Sequence, residues 1–204
     1  MTYKTPDNLP LLSNPLGIDQ GIQDLQIELS ENLQWLEYSF GRAYLGKDRQ
    51  QSGRDYIYPA VYKGDANYYD ASPNDNVISQ SFFVLDGDYR YDDYMINEQN
   101  LFEVPVSLII WGNLKKISSV DEHFGQILLQ QTLQVINNNE QFTVLSVVDN
   151  EPDVFSEFSD RLENSSLYYY PYFCYRIKML LSSGEECKET IESTLETYNI
   201  WNNS

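Results

Sequence analysis

Ile18, Ile22, Leu25, Leu29, Leu33 and Leu36 follow one another at steps of three and four. That spacing puts one apolar stripe on one face of an α-helix. The stretch "SNPLGIDQGIQDLQIELSENLQWLE" therefore predicts a helix, with Asn14 as its cap and Pro15 at the first helical position. Its end is ambiguous in sequence, because Leu36, Tyr38 and Phe40 also alternate as a strand does. From Tyr38 to about Leu114 the period falls to two. "YSFGRAYLG" and "YIYPAVYKG" read as paired strands across the polar turn "KDRQQSGRD". "ANYYDASPNDN" reads as a strand and a turn, "VISQSFFVLD" as a strand, and "DGDYRYDDYMINEQN" as a long acidic loop. In "LFEVPVSLIIWGNLKKI", Val104, Val106, Leu108 and Ile110 fall on one side of a strand, and Ser107, Ile109 and Trp111 on the other.

A second helix is predicted after Ser119, a capping residue with Glu122 three positions on. Phe124, Ile127, Leu128, Gln131 and Val135 mark its inward face, and Asn137 to Asn139 end it. "QFTVLSVVDN" is a strand, "EPDVFSEFSDRLENS" a loop or short helix, and "SSLYYYPYFCYRIKMLL" the last core strand. The predicted fold is α+β: a mostly antiparallel sheet with two helices on one face. Residues 1–14 form an extended arm, 15–187 a single domain, and 188–204 a tail with helical spacing at Ile191, Leu195 and Tyr198.

Composition changes the picture in two ways. The chain has 204 residues, 17 of them Tyr, and a net charge of −18. A surface of Asn, Gln and Tyr suits protein contact. The acidic balance disfavours adhesion to nucleic-acid phosphate or anionic membrane. No apolar run approaches the roughly 18 residues of a membrane helix. The start "MTYKTPDNLPLL" lacks the basic and apolar stretches of a secretory signal, so synthesis is expected in the cytoplasm. Cys174 and Cys187 are expected to be reduced thiols.

Little in the sequence supports catalysis. His123, the single histidine, lies just after a helix cap and reads as a surface residue. Three scattered Cys and His do not build a zinc site. The acidic loop places Asp86 and Asp88 at calcium-loop spacing, but Arg90 and Tyr91 stand where a ligand and a glycine are required. No cofactor or metal is expected. The aromatic run offers Tyr170, Tyr172 and Cys174 to one face of its strand and Tyr169, Pro171, Phe173 and Tyr175 to the other. With helices over only one face of the sheet, the second set would need cover. Tyr169, Phe173 and Tyr175 are therefore expected to meet another subunit.

Four stretches, "LQWLEYSFGRAY", "YIYPAVYKGDANYYDASPNDNVISQSFFVLD", "VPVSLIIWGNLKKI" and "YYYPYFCYRIKMLL", resemble neck proteins of phages and prophages of Bacteroides-type hosts, including crAss-like phages. The likeness runs from about Leu33 to Cys187, and the order of elements is similar to that of tail-terminator and tail-completion proteins. It implies a structural virion protein and no enzyme: a ring, of six or twelve copies, at the head–tail junction. Its partners would be copies of itself and the portal, connector and tail proteins. The N-terminal arm and acidic tail leave open a terminator ring or a connector ring beneath the portal. DNA would pass without specific binding through an acidic channel, which repels phosphate. The loop carrying Asp86, Asp88, Asp92 and Asp93 is then expected to face that channel or an adjacent ring. The alternative is a cytoplasmic adaptor or assembly chaperone that never enters the virion.

Overall fold

The computed structural model describes residues 9–49, 55–87, 90–91, 102–117, 124–149, 151–158 and 170–183. The elements are α1 (Ile18–Asn32), β1 (Tyr38–Arg49), β2 (Asp55–Gly64), β3 (Asn67–Asp70), β4 (Ser79–Leu85), β5 (Arg90–Tyr91), β6 (Phe102–Asn113), α2 (Leu114–Ile117), α3 (Phe124–Asn138), β7 (Phe142–Val148), α4 (Glu151–Val154) and β8 (Tyr172–Ser183). The eight strands form one sheet in the order β3-β2-β1-β4-β6-β8-β7, with β5 paired beside β6. Every pairing is antiparallel except β1 with β4. The α+β class and the mostly antiparallel sheet are as the periodicity predicts.

Both faces of the central strands β4, β6 and β8 are covered. On one, Ile22, Leu25 and Leu29 of α1 and Leu128, Val135 and Ile136 of α3 pack on Val106, Leu108 and Ile110 of β6 and on Ile177 and Met179 of β8. On the other, Val154, Phe155 and Phe158 cover Phe82, Ile109, Trp111 and Cys174. The predicted alternation along β6 therefore holds. It serves two cores, which is why the strand reads as a nearly continuous apolar run.

The helix boundaries differ from the sequence reading. α1 begins at Ile18, after Gly17 at φ 57°, and not at Asn14 and Pro15. Leu33 and Leu36 lie beyond its last turn yet remain buried, so the stripe continues into the turn that leads to β1. Gln26 sits in that stripe, fully buried. Its side-chain amide donates to the Ser39 carbonyl at 2.8 Å, and the Ser39 hydroxyl donates to the Gln26 carbonyl at 3.0 Å, fastening α1 to β1. Gly21 lets α1 approach the sheet closely: a Cβ there would lie 2.9 Å from Leu181 Cδ1. α3 ends at Asn138, as expected, but its buried face is Gly125, Leu128, Thr132, Val135 and Ile136. Ile127 is exposed, and Gln131 accepts a hydrogen bond from the Trp35 indole at 3.0 Å instead of entering the core. Ser119 and Glu122 lie outside the described residues.

Candidate functional site

Phe173 and Tyr175 of the aromatic strand are covered within the chain. Phe173 and Tyr175 are 8% and 9% exposed and belong to the core beneath α1 and α3. Phe173 packs edge-on against Trp35, with ring centroids 6.0 Å apart, and its ring lies across Gly112, where a Cβ would stand 2.7 Å away. The Tyr175 hydroxyl occupies the space beside Gly125. Burial pushes the Tyr175 phenol up to about 12. The expectation that these two rings meet a neighbouring subunit is corrected: the helices cover their face, and the 151–158 segment covers the face of Cys174. Tyr170 is exposed and Tyr172 stacks on Trp111 at 5.5 Å. Tyr169, His123 and Cys187 lie outside the described residues.

Asp86 also differs from expectation. Its carboxylate binds the Arg176 guanidinium and accepts the Ser107 hydroxyl, so it faces inward and not toward a channel. Arg176 is buried at the centre of this group. It donates Nε–H to Ser107 Oγ at 3.0 Å, grips Glu157 through both Nη atoms, and reaches the Val154 carbonyl at 3.4 Å. Burial pushes the Glu157 carboxyl up, but the hydrogen bond and charge of Arg176 outweigh that and hold it below its ordinary value. Two carboxylates, Asp86 and Glu157, offset the one guanidinium, and the Ser107 hydroxyl and the Val154 carbonyl accept its other hydrogen bonds. Its role is to clamp the segment carrying Phe155 and Phe158 to the sheet. Asp88, Asp92 and Asp93 lie outside the described residues.

A groove of about 890 Å³ runs between the end of α1 and α3, past Trp35, Leu36, Ile117, Phe124 and Gln131. Among the described residues, its lining contains no histidine or cysteine. Among the described residues, no group of three or more His, Cys, Asp or Glu is placed to hold a metal ion, and no helix is long and apolar enough to cross a membrane.

The exposed aromatic surface lies elsewhere, on a ribbon that sequence reading did not single out. β1 pairs with β4 only as far as Arg42, then runs from Ala43 to Arg49 with β2 as its partner. Directly opposed residues of an antiparallel pair share a face. The register Tyr44↔Ala60, Gly46↔Tyr58, Asp48↔Tyr56 and Tyr62↔Tyr68 thus places Tyr44, Tyr56, Tyr58, Tyr62 and Tyr68 on one face of β1, β2 and β3. Small residues stand across from Tyr44 and Tyr58: Ala60 faces Tyr44, and the Tyr58 ring lies over Gly46, 2.5 Å from where a Cβ would be. Tyr68 meets Tyr44 and Tyr62 edge-on, each at 6.0 Å, and Tyr56 meets Tyr58 at 5.5 Å. The Arg42 guanidinium lies 4.9 Å over the Tyr44 ring and 3.7 Å from Asp19.

Tyr44 and Tyr68 remain 44% and 57% exposed. The opposite face of the ribbon presents Leu45, 64% exposed, with Lys47 and Ile57 in register beside it. The N-terminal segment reaches the tyrosine face as well. The Leu12 amide donates to Gln23 Oε1 at 2.7 Å, and Pro10 and Leu12 line a small pocket with Tyr44, Tyr62 and Tyr68. A signal for this surface was available: "AYLGKDRQQSGRDYIYPAVYKG" combines tyrosines at alternate positions with glycine and alanine opposite them. Comparison of the chain with known protein families, with curated proteins and with solved structures finds no match.

Proposed function

We propose that this chain is a structural subunit of a phage neck, a self-associating protein of the head–tail junction that works through surface contact and not through catalysis. The observation that carries the reading is the contrast between central strands sealed on both faces by their own chain and a ribbon that leaves them with exposed tyrosines. Tyr suits such contacts because its ring buries apolar area while its hydroxyl keeps a hydrogen bond. The sequence resemblance supplies the setting. A net charge of −18 suits a wall past which DNA slides without adhering. Contact is assigned to the ribbon and to the N-terminal segment beside it, in place of Phe173 and Tyr175.

The test is mass spectrometry of gradient-purified virions, followed by a symmetry-resolved reconstruction of the neck. The expected result is this chain in intact particles, in several copies around the tail axis. Its absence from particles, or a single copy off the axis, would overturn the reading.

A further inference from the structure

The N-terminal segment has a defined seat on the body of the chain. Residues 9–12 are half-buried. The Leu12 amide donates to Gln23 Oε1 at 2.7 Å, and Gln23 Nε2 donates back to the Leu12 carbonyl at 3.4 Å. One side-chain amide of α1 thus pairs with both polar backbone groups of Leu12, as a neighbouring strand would. Pro10 and Leu12, two positions apart, line one pocket with Ile22, Tyr44, Tyr62 and Tyr68. A backbone pair together with alternate apolar side chains in a pocket is how an extended peptide is recognised.

The connection from this seat to the body is of another kind. Leu12 lies beside Gln23, more than a turn into α1, so the chain doubles back over residues 13–17. Ser13, Asn14, Leu16 and Gly17 are exposed, Leu16 at 55%. Among the described residues, no backbone hydrogen bond is made by Ser13, Asn14 or Pro15. Gly17 makes the reversal at φ 57° and ψ −121°, a setting that residues with a Cβ rarely hold. A Cβ at Gly17 would meet nothing within 4 Å, so the backbone turn requires the glycine and packing does not. Pro15 restricts its own φ and drives Asn14 toward extended backbone. A specific seat joined to the body by a short, unpaired hinge is the arrangement that lets an element pass between identical chains.

From these observations we infer that residues 9–12 are exchanged between copies: the arm of one copy seats on Gln23 and the tyrosine pocket of its neighbour, with Gly17 as the hinge. The inference rests on the self-association proposed above and supplies a device for it. A second copy presents the same segment and makes the same contacts, so hinge and concentration decide between the two seats. In a free chain the short tether holds the arm at an effective concentration in roughly the millimolar range, and the arm stays on its own body. Where copies are gathered, the seats of neighbours compete for it. The hinge of residues 13–17 spans at most about 17 Å when extended, which limits how far the neighbour's seat lies from the start of α1. Passed from copy to copy, the exchange ties a ring; returned between two copies, it stops at a dimer.

The experiment mixes two populations of the full chain over a concentration series up to about 1 mM. One carries the photoreactive diazirine analogue of leucine. The other, in excess, is labelled with heavy nitrogen. After irradiation, mass spectrometry reads whether Leu12 of the light chain is joined to a light or a heavy peptide of the seat. Wild type, Gly17→Ala and Gln23→Ala are each prepared in both forms, and thermal unfolding confirms that each folds.

In wild type the share of light-to-heavy links is expected to rise with concentration. Gly17→Ala strains only the closed turn and should reach the same share at about tenfold lower concentration. Gln23→Ala removes the backbone pair and should reduce links within and between chains together. The exchange is overturned if Leu12 links only within its own chain at every concentration. It is also overturned if Gly17→Ala fails to increase links between chains, or if those links persist undiminished in Gln23→Ala. Links between chains from Leu45 of the ribbon, with none from Leu12 to a heavy seat, would remove the exchange and leave self-association standing. Exchange in solution with the chain absent from virions would remove the neck reading alone.

Discussion

β8 and the β1–β2 ribbon are both rich in tyrosine, yet they do opposite work. β8 sits between β6 and β7, and Phe173, Tyr175 and Ile177 on one side and Cys174 on the other are all buried. The ribbon loses its β4 partner after Arg42 and leaves Tyr44, Leu45 and Tyr68 in solvent. Ring density along a sequence therefore does not mark a surface. What separates the two regions is cover. Two helices and the Arg176-clamped segment close over β8, while the described residues leave Tyr44, Leu45 and Tyr68 of the ribbon and its neighbour β3 exposed.

The comparison breaks most visibly at Phe173. Phe173→Asp places a carboxylate between Trp35 and Gly112 in a sealed core, and an unpaired buried charge of that kind is not tolerated. No cooperative unfolding transition is expected in circular dichroism. A folded monomer from this variant would return β8 to the surface.

Arg176→Met is expected next in size. It leaves Asp86, Glu157 and Ser107 without their cation beneath Phe155 and Phe158, at a cost of about 3–5 kcal/mol. Urea denaturation measures the loss. A change under about 1 kcal/mol would mean that the clamp is dispensable and that the second face is held by apolar packing alone.

Tyr175 sharpens the contrast by pH. Its folded value of about 12 lies above the ordinary 10.0 because burial penalises the phenolate. A raised value means that the folded chain holds the proton more tightly than the unfolded chain does. The stability linked to it is complete below pH 10.0 and is lost as the pH rises toward about 12. Tyr175→Phe should remove that part of the alkaline loss, as judged from unfolding midpoints across this range. An unchanged profile would place the titration elsewhere.

The smallest stability effect is expected on the ribbon. Tyr68→Ala removes a ring that is more than half exposed and meets Tyr44 and Tyr62 edge-on. Surface substitutions of this kind usually stay within about 0.5 kcal/mol. Thermal unfolding should show almost no shift. A loss comparable to that of a core ring would show that the tyrosine face is a core of its own.

The fold was legible where one residue pattern had one physical cause. β6 alternates because each of its faces enters a separate core, and the stripe of α1 is the face laid on the sheet. The start of α1 was misplaced because Asn14 and Pro15 form a good capping signal that the chain does not use, turning instead at Gly17. The face of β8 was misassigned because residues 151–158, read as a loop or short helix, gave no sign that they cover Cys174 and leave the Phe173 face to the helices. The function of residues 151–158 as a lid over Trp111 and Cys174 depends on Arg176, and Arg176 meets Ser107 across 69 residues of sequence. Asp86 was expected to face a channel or an adjacent ring for a similar reason: nothing local to it announces an arginine 90 positions away.

The central claim is that the ribbon, and not β8, is the contact surface of the assembled protein. Hydroxyl-radical footprinting read by mass spectrometry tests it directly, on the free chain and on the same chain in its assembled state. Oxidation of Tyr44, Leu45 and Tyr68 should be high in the free chain and suppressed on assembly, while Phe173 and Tyr175 stay protected in both. Equal oxidation of Tyr44 and Tyr68 in the two states, with protection appearing only at Phe173 and Tyr175, would contradict the account.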